Sequence, residues 1–155
     1  MAMHDINSRI KPVFHIGGTV SSTQTPSAGV DTKGFEAVSF LISIGTISNI
    51  AESPTPSWTF KLQESDASTS GFTDVTDSNA VLIDSSASPV VAPDASTGVF
   101  LTIDAAAEDA AVYMVGYLGT KRYVRCVATA TETPGNTPLA VTALLGDPSQ
   151  LPTDH

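Results

Sequence analysis

The sequence predicts an all-β chain: one antiparallel β-sandwich domain, jelly-roll-like, with about seven or eight strands and extended N- and C-terminal arms. Three observations carry that prediction. About a quarter of the 155 residues are Ser or Thr, and the 11 Gly and 10 Pro are scattered along the chain instead of gathered in one linker. That is the punctuation of many short strands joined by turns. Several segments alternate apolar and polar residues with a period of two, the pattern of half-buried strands. A chain of this length buries roughly 70% of the surface its unfolded form exposes, enough for one core. The expected division is an N-terminal arm over residues 1–12, a sandwich over residues 13–147 and a tail over residues 148–155, with no repeat of fixed period.

Taken in order, the clearest strand spans residues 35–44, where Val38, Phe40, Ile42 and Ile44 face inward and Ser39, Leu41 and Ser43 face outward, bracketed by Gly34 and Gly45. After a loop containing Glu52, Pro54 and Pro56, Trp58, Phe60 and Leu62 alternate with Thr59, Lys61 and Gln63 in a second strand. A polar turn through Asp66, Ser68, Ser70 and Gly71 leads to a short arm, residues 72–75, that pairs back as a hairpin. Residues 80–83 and 99–103 read as further strands, separated by a Ser- and Pro-rich surface loop over residues 84–97. The alanine cluster at residues 105–111, with Asp104, Glu108 and Asp109, reads as one or two helical turns, because Ala favours helix and acids suit a helix N-terminus. Residues 112–118 and 121–131, split by Gly119 and Thr120, read as a hairpin. In its second arm Arg122, Val124, Cys126, Ala128 and Ala130 share one side, and Lys121, Tyr123, Arg125, Val127 and Thr129 the other. A turn at Pro134, Gly135 and Asn136 precedes a last strand over residues 139–145.

Charge narrows the function. Sixteen acidic against seven basic side chains give a net charge of -9, so the surface repels polyanions, which argues against nucleic acid and against an anionic membrane surface as partners. With 41% hydrophobic and only 15% charged residues the chain has the composition of a folded domain. Residues 1–12 lack the apolar run of a secretory signal, and the longest apolar stretch falls far short of the ~20 residues that cross a bilayer. The single cysteine, Cys126, provides neither an internal disulfide nor a thiolate cage.

Chemistry has few seats. Of three histidines, His4 and His155 lie in the expected tails, which leaves His15, read as an edge or interface residue beside a Gly17-Gly18 turn. There is no G-x-S-x-G elbow, no dinucleotide fingerprint and no phosphate loop. Glu64 with Asp66, and Asp74 with Asp77, are carboxylate pairs of the kind that serve acid/base or calcium chemistry, but their spacing matches no calcium loop and acids in turns are common. No catalytic, cofactor-binding or metal-binding residue is therefore assigned. Cys126, mid-strand, reads as a buried inert thiol. Lys121, Arg122 and Arg125 are three of only seven basic residues, and with His15 they form the interface candidates: cations on one strand that meet acids across a sheet or across a subunit boundary. For Arg122 or Arg125 the expected partner is a carboxylate of a neighbouring subunit.

Three segments carry a resemblance: residues 29–38, GVDTKGFEAV; residues 58–66, WTFKLQESD, leading to FTDV at residues 72–75; and residues 116–125, GYLGTKRYVR, with ALLG closing the last strand at residues 143–146. In this order they resemble a family of tailed-bacteriophage and prophage structural proteins, over about residues 30–148. Cys126 stands where that pattern has an aliphatic residue. The resemblance implies a non-enzymatic virion component, similar to head decoration (cement) proteins that bind the outside of the major capsid protein shell. It also implies self-association, as a homotrimer on the capsid surface, without cofactors, and terminal arms that reach along neighbours. Synthesis in the host cytoplasm and residence on the virion exterior follow. The competing readings are a tail or head–tail connector component, a carbohydrate-binding sandwich built on Tyr113, Tyr117 and Tyr123, and, least supported, a hydrolase.

Overall fold

A computed structural model describes Ile6, residues 8–83 and residues 89–149. His4, His155 and the first part of the expected 84–97 loop lie outside the described residues. Ten strands are present among them: β1 (Ile10–Val20), β2 (Val30–Asp31), β3 (Phe35–Ile44), β4 (Ser57–Ser65), β5 (Thr73–Asp74), β6 (Val81–Ile83), β7 (Val99–Ile103), β8 (Ala111–Tyr117), β9 (Tyr123–Thr131) and β10 (Thr137–Pro148). They form two antiparallel sheets. The first has the order β1-β10-β3-β8-β6, and the second the order β2-β9-β4-β5, with β7 also on β4.

The winding is that of a jelly roll. Apart from the short β5 and β6, the strands pair outermost with outermost, β1 with β10, β2 with β9, β3 with β8 and β4 with β7, as in one long hairpin. That hairpin is rolled up so that β10 meets β3 and β9 meets β4. The expected sandwich is therefore found, eight strands forming the roll and two short ones extending its sheets.

The inward sets of β3 and β4 pack as their alternation predicts. Phe40, Ile42, Trp58, Phe60 and Leu62 are all fully buried, and they meet Val115, Val124, Cys126, Ala128, Val141 and Ala143 from the neighbouring strands. The Trp58 indole N–H crosses between the sheets to Thr137 Oγ1 at 3.1 Å, which satisfies the one polar atom that its burial strands.

Three expectations need correction. Residues 112–131 do not form a hairpin: β8 belongs to the first sheet and β9 to the second. Both strands carry an apolar set, Tyr113, Val115 and Tyr117 on one and Val124, Cys126 and Ala128 on the other. These sets bury against each other across the sandwich, which requires opposite sheets. The alanine cluster makes turns, with one bond from Glu108 N–H to the Ala105 carbonyl, and Ala110 takes a left-handed φ of 50°, which ends any helix. The Gly17-Gly18 turn is absent, because β1 runs on through both glycines. Ile10 and Pro12 pair with Gly146 and Leu144, and β10 runs through Pro148.

The candidate site: a charged hub and an uncharged face

The three segments that carry the sequence resemblance converge on one part of the second sheet. β9 lies between β2 and β4, with Asp31 opposite Tyr123 and Gln63 opposite Arg125, and β5 sets Asp74 opposite Gln63. The Arg122 guanidinium grips both oxygens of Asp31, Nε to Oδ1 at 2.9 Å and Nη2 to Oδ2 at 2.7 Å. Those hydrogen bonds hold the Asp31 carboxyl below the usual carboxylate range and raise the arginine in return. Thr32 binds the Arg122 carbonyl through its backbone N–H and its hydroxyl. Gly34 then turns the chain into β3 with φ +89°, a conformation that a side chain rarely adopts.

Arg125 is the centre of the hub. It donates from Nε to Gln63 Oε1 at 2.9 Å and from Nη1 to the Pro26 carbonyl at 2.6 Å, and it stacks 3.9 Å from the Phe72 ring centroid. Burial lowers its pKa. Gln63 passes the chain of contacts to Asp74 Oδ1 at 2.7 Å, and Lys61 Nζ closes it on Asp74 Oδ2 at 2.9 Å. Burial pushes the Asp74 carboxyl up, but the bonds from Lys61 and Gln63 outweigh it and the net shift is downward. Lys121 Nζ lies 2.5 Å from Asp66 Oδ2 at the exposed rim. The sequence-predicted interface cations are thus engaged within the chain, Arg122 by Asp31 and Arg125 by Gln63, Pro26 and Phe72. The across-sheet meeting of cation and acid is seen for Arg122 with Asp31, whereas the contacts of Arg125 are all with uncharged groups.

The remaining candidates are likewise committed. The Tyr117 hydroxyl donates to Glu64 Oε2 at 2.6 Å and accepts the Lys121 backbone N–H at 3.1 Å; burial, then Glu64, raise its pKa. Asp77 caps a short 3-10 turn at Ser78–Ala80. The two carboxylate pairs weighed from sequence are therefore divided among separate partners, and among the described residues no three His, Cys, Asp or Glu side chains group to hold a metal.

His15 is a structural plug. A register shift between Phe14 and Ile16 in β1 marks a bulge at His15, whose ring lies 5.4 Å from that of Phe40, edge to face. Along the β2 edge of β9, Val124 pairs with Val30 and Ala128 with Gln24, which leaves the Cys126 backbone between them without a strand partner. The Cys126 N–H donates to His15 Nε2 at 2.9 Å. Burial, helped by the Arg125 charge and opposed by the nearby Cys126 carbonyl, pulls the histidine pKa down to about 4, so the ring is a neutral acceptor near neutrality. Cys126 is completely buried, which pushes its thiol pKa up and makes it inert.

The outer face of the first sheet is the feature that sequence reading missed. Register sorts it into rows across the strands. Phe14, Thr142, Leu41 and Met114 form one; Pro12, Leu144, Ser39, Gly116 and Leu82 the next; Gly17, Ala140, Ser43 and Val112 lie beyond the first; and Ile10, Gly146 and Ala37 end the field. None of these sixteen residues is charged. Phe14 is 77% exposed, Leu82 and Val112 60% each and Met114 53%. Large apolar side chains are spread over these rows, Phe14, Leu41 and Met114 in one, Leu144 and Leu82 in the next and Val112 beyond, with Ser, Ala and Gly between them. A hollow of about 470 Å³ lies over Ser43 and Ala140, and another of about 380 Å³ over Ala37 and Ser39, the second bordered by the charged side chains of Arg9 and Asp147. The signal was present: Ser39, Leu41 and Ser43 were the "polar" set of β3, yet none carries a charge.

No family model, curated protein or solved structure matches this chain.

Proposed function

We propose that this chain is a non-enzymatic structural subunit of a tailed-bacteriophage or prophage particle, a decoration (cement) protein bound outside the major capsid protein shell in symmetric clusters. The observation that carries this reading is the hub. The three segments on which the resemblance rests meet in space and bond to one another, Asp31 with Arg122 and Asp66 with Lys121 as ion pairs and Gln63 with Arg125 by a hydrogen bond. Segments that serve to lock strands together fit a rigid body that works by shape, repeated many times so that modest contacts add through multiplicity. His15 and Cys126, the residues nearest to catalytic chemistry by type, are occupied in joining the two sheets. The jelly-roll winding is used by shell and lectin domains alike, so fold alone does not choose between them. Against a sugar-binding surface, Tyr113 and Tyr117 are buried, and their hydroxyls are spent on the Glu108 carbonyl and on Glu64.

A mass-spectrometric copy count on purified particles tests the reading. Hundreds of copies per particle, and heads less resistant to heat when the protein is missing, are the expected results. A few copies per particle assign it to the tail or connector instead, and absence from particles overturns the proposal.

A further inference from the structure

We propose that His15 is an acid-sensitive latch in the side wall of the sandwich: on taking up a proton its ring leaves the Cys126 amide and opens the seam between the sheets locally, while the β1-β10 ladder holds. The setting of the ring allows this. The register of β1 passes from Phe14 with Thr142 to Ile16 with Val141, so His15 has no pairing partner in β10 and its ring swings without disturbing the pairs on either side. Nothing on β9 takes its place. Residues 25–29 run opposite residues 125–127, two more than pairing needs, and loop away between the Gln24 bridge and Val30. A hollow of about 320 Å³ lies there, between Val13, Phe14 and His15 on one side and residues 26–30 on the other, and gives water a way to the ring.

The closed position is built for a neutral ring. Protonation turns Nε2 from acceptor into donor, so that two N–H groups face each other across the 2.9 Å contact with Cys126. The Cys126 carbonyl, 3.2 Å from the same nitrogen, takes the new N–H but leaves the Cys126 amide stranded. No carboxylate faces the imidazolium. β9 presents Arg125, which repels it, and β3 presents the Phe40 ring, its one acid, Glu36, lying at the exposed end of that strand. On β10 the bulge is flanked by Val141 and Thr142, and within β1 the only charge is Lys11. Residues 26–30 are uncharged, and Asp31 beyond them is held by Arg122. Burial, against the pull of the Cys126 carbonyl and with the push of Arg125, therefore keeps the ring neutral down to about pH 4. Swung into water it titrates near its ordinary 6.5, and acid favours the open seam.

A fall in overall stability toward acid follows from any histidine buried neutral; local opening is what distinguishes a latch. Amide hydrogen exchange on the purified full chain reads it, followed by NMR from about pH 7 to about pH 4 and referred to the intrinsic rate at each pH. Protection of the Cys126 amide should fall roughly 100-fold over that range, given a ring that titrates at about 4 when shut and 6.5 when open. That exchange should be insensitive to urea below the unfolding transition, since a swinging ring exposes little surface. The Ala128 amide, on the same edge of β9 but bonded to the Gln24 carbonyl at 3.0 Å, and the β1-β10 ladder amides should stay at least about tenfold better protected at the acid end, and their exchange should rise with urea. His15→Gln, which accepts the same N–H and does not titrate, should remove the pH dependence at Cys126. Constant Cys126 protection, a Cys126 exchange that climbs with urea as steeply as that of the ladder, or the same acid fall in His15→Gln overturns the proposal. The first two are read on the wild-type chain and need no variant to fold.

Discussion

The two sheets bury inward faces of the same kind and differ on their outward ones. Outside the second sheet, register aligns Arg125 with Gln63 and Asp74, and Thr129 with Thr59 and Thr102, so polar side chains bond across strands and meet water. Outside the first, the corresponding rows hold apolar side chains, among them Phe14, Leu41, Met114, Leu144, Leu82 and Val112, with Thr142 and small Ser, Ala and Gly residues between them. Position in the roll does not explain this, because both sheets are five-stranded and both cover the same core. A strand with one solvated face ordinarily alternates apolar residues inside with polar ones outside, and a strand apolar on both sides reads as one covered on both sides. The difference teaches that one roll can present two chemically distinct surfaces, hydrogen-bonding on the second sheet and uncharged, with exposed apolar side chains, on the first.

The largest effects serve as the control for that comparison, since inner faces should respond alike. Phe40→Ala in the first sheet and Phe60→Ala in the second should each cost about 3–5 kcal/mol by chemical denaturation, both rings being fully buried. A markedly smaller cost in one sheet would break the symmetry of the core and with it the contrast drawn between the outer faces.

Next comes the seam between the sheets. His15 is neutral in the folded chain with a pKa of about 4, against an ordinary 6.5. Between those values the unfolded chain binds more protons, so stability rises with pH across that window. The contribution is complete above about 6.5 and is lost progressively as the pH falls to about 4, on the order of 3 kcal/mol in all. His15→Phe should abolish that slope in pH-dependent melts; an unchanged slope would show that the ring does not carry it.

Smaller effects separate the outer faces directly. Arg125→Met should cost about 1–2 kcal/mol, since it strands Gln63 and the Pro26 carbonyl in a partly screened setting, whereas Ser39→Ala on the apolar sheet should be close to neutral in the isolated chain. The smallest change should come from Lys121→Ala at the exposed rim, a slight fall in melting temperature that disappears at high salt.

How much of this was legible depended on how local the signal was. β3 was readable to the residue, because Gly34 and Gly45 bracket an unbroken alternation. The inward direction of Trp58, Phe60 and Leu62 followed in the same way. The separation of β8 from β9 was not legible, because two β-prone runs flanking Gly119-Thr120 look the same whether the chain returns beside itself or crosses to the other sheet. Only the pairing of β8 with β3 and of β9 with β4 decides, and that is a long-range fact. For the candidate site, sequence marked Lys121, Arg122, Arg125 and His15 but not their partners, which lie 55 to 111 residues away along the chain. The uncharged face escaped notice because each strand contributes only one to four residues to it, and the absence of charge shows only when the five strands are laid side by side.

The pairing of first strand with last has a mechanical consequence. Ile10 faces Gly146, and β1 is antiparallel to β10, so the two described ends emerge at one pole of the roll. A force applied through both ends pulls across the rungs of this ladder and opens them in succession, like a zip, instead of loading all ten register pairs of the two strands together. Tethered by its ends the domain is a weak link. Held by its broad sides, it bears load through the whole wound body.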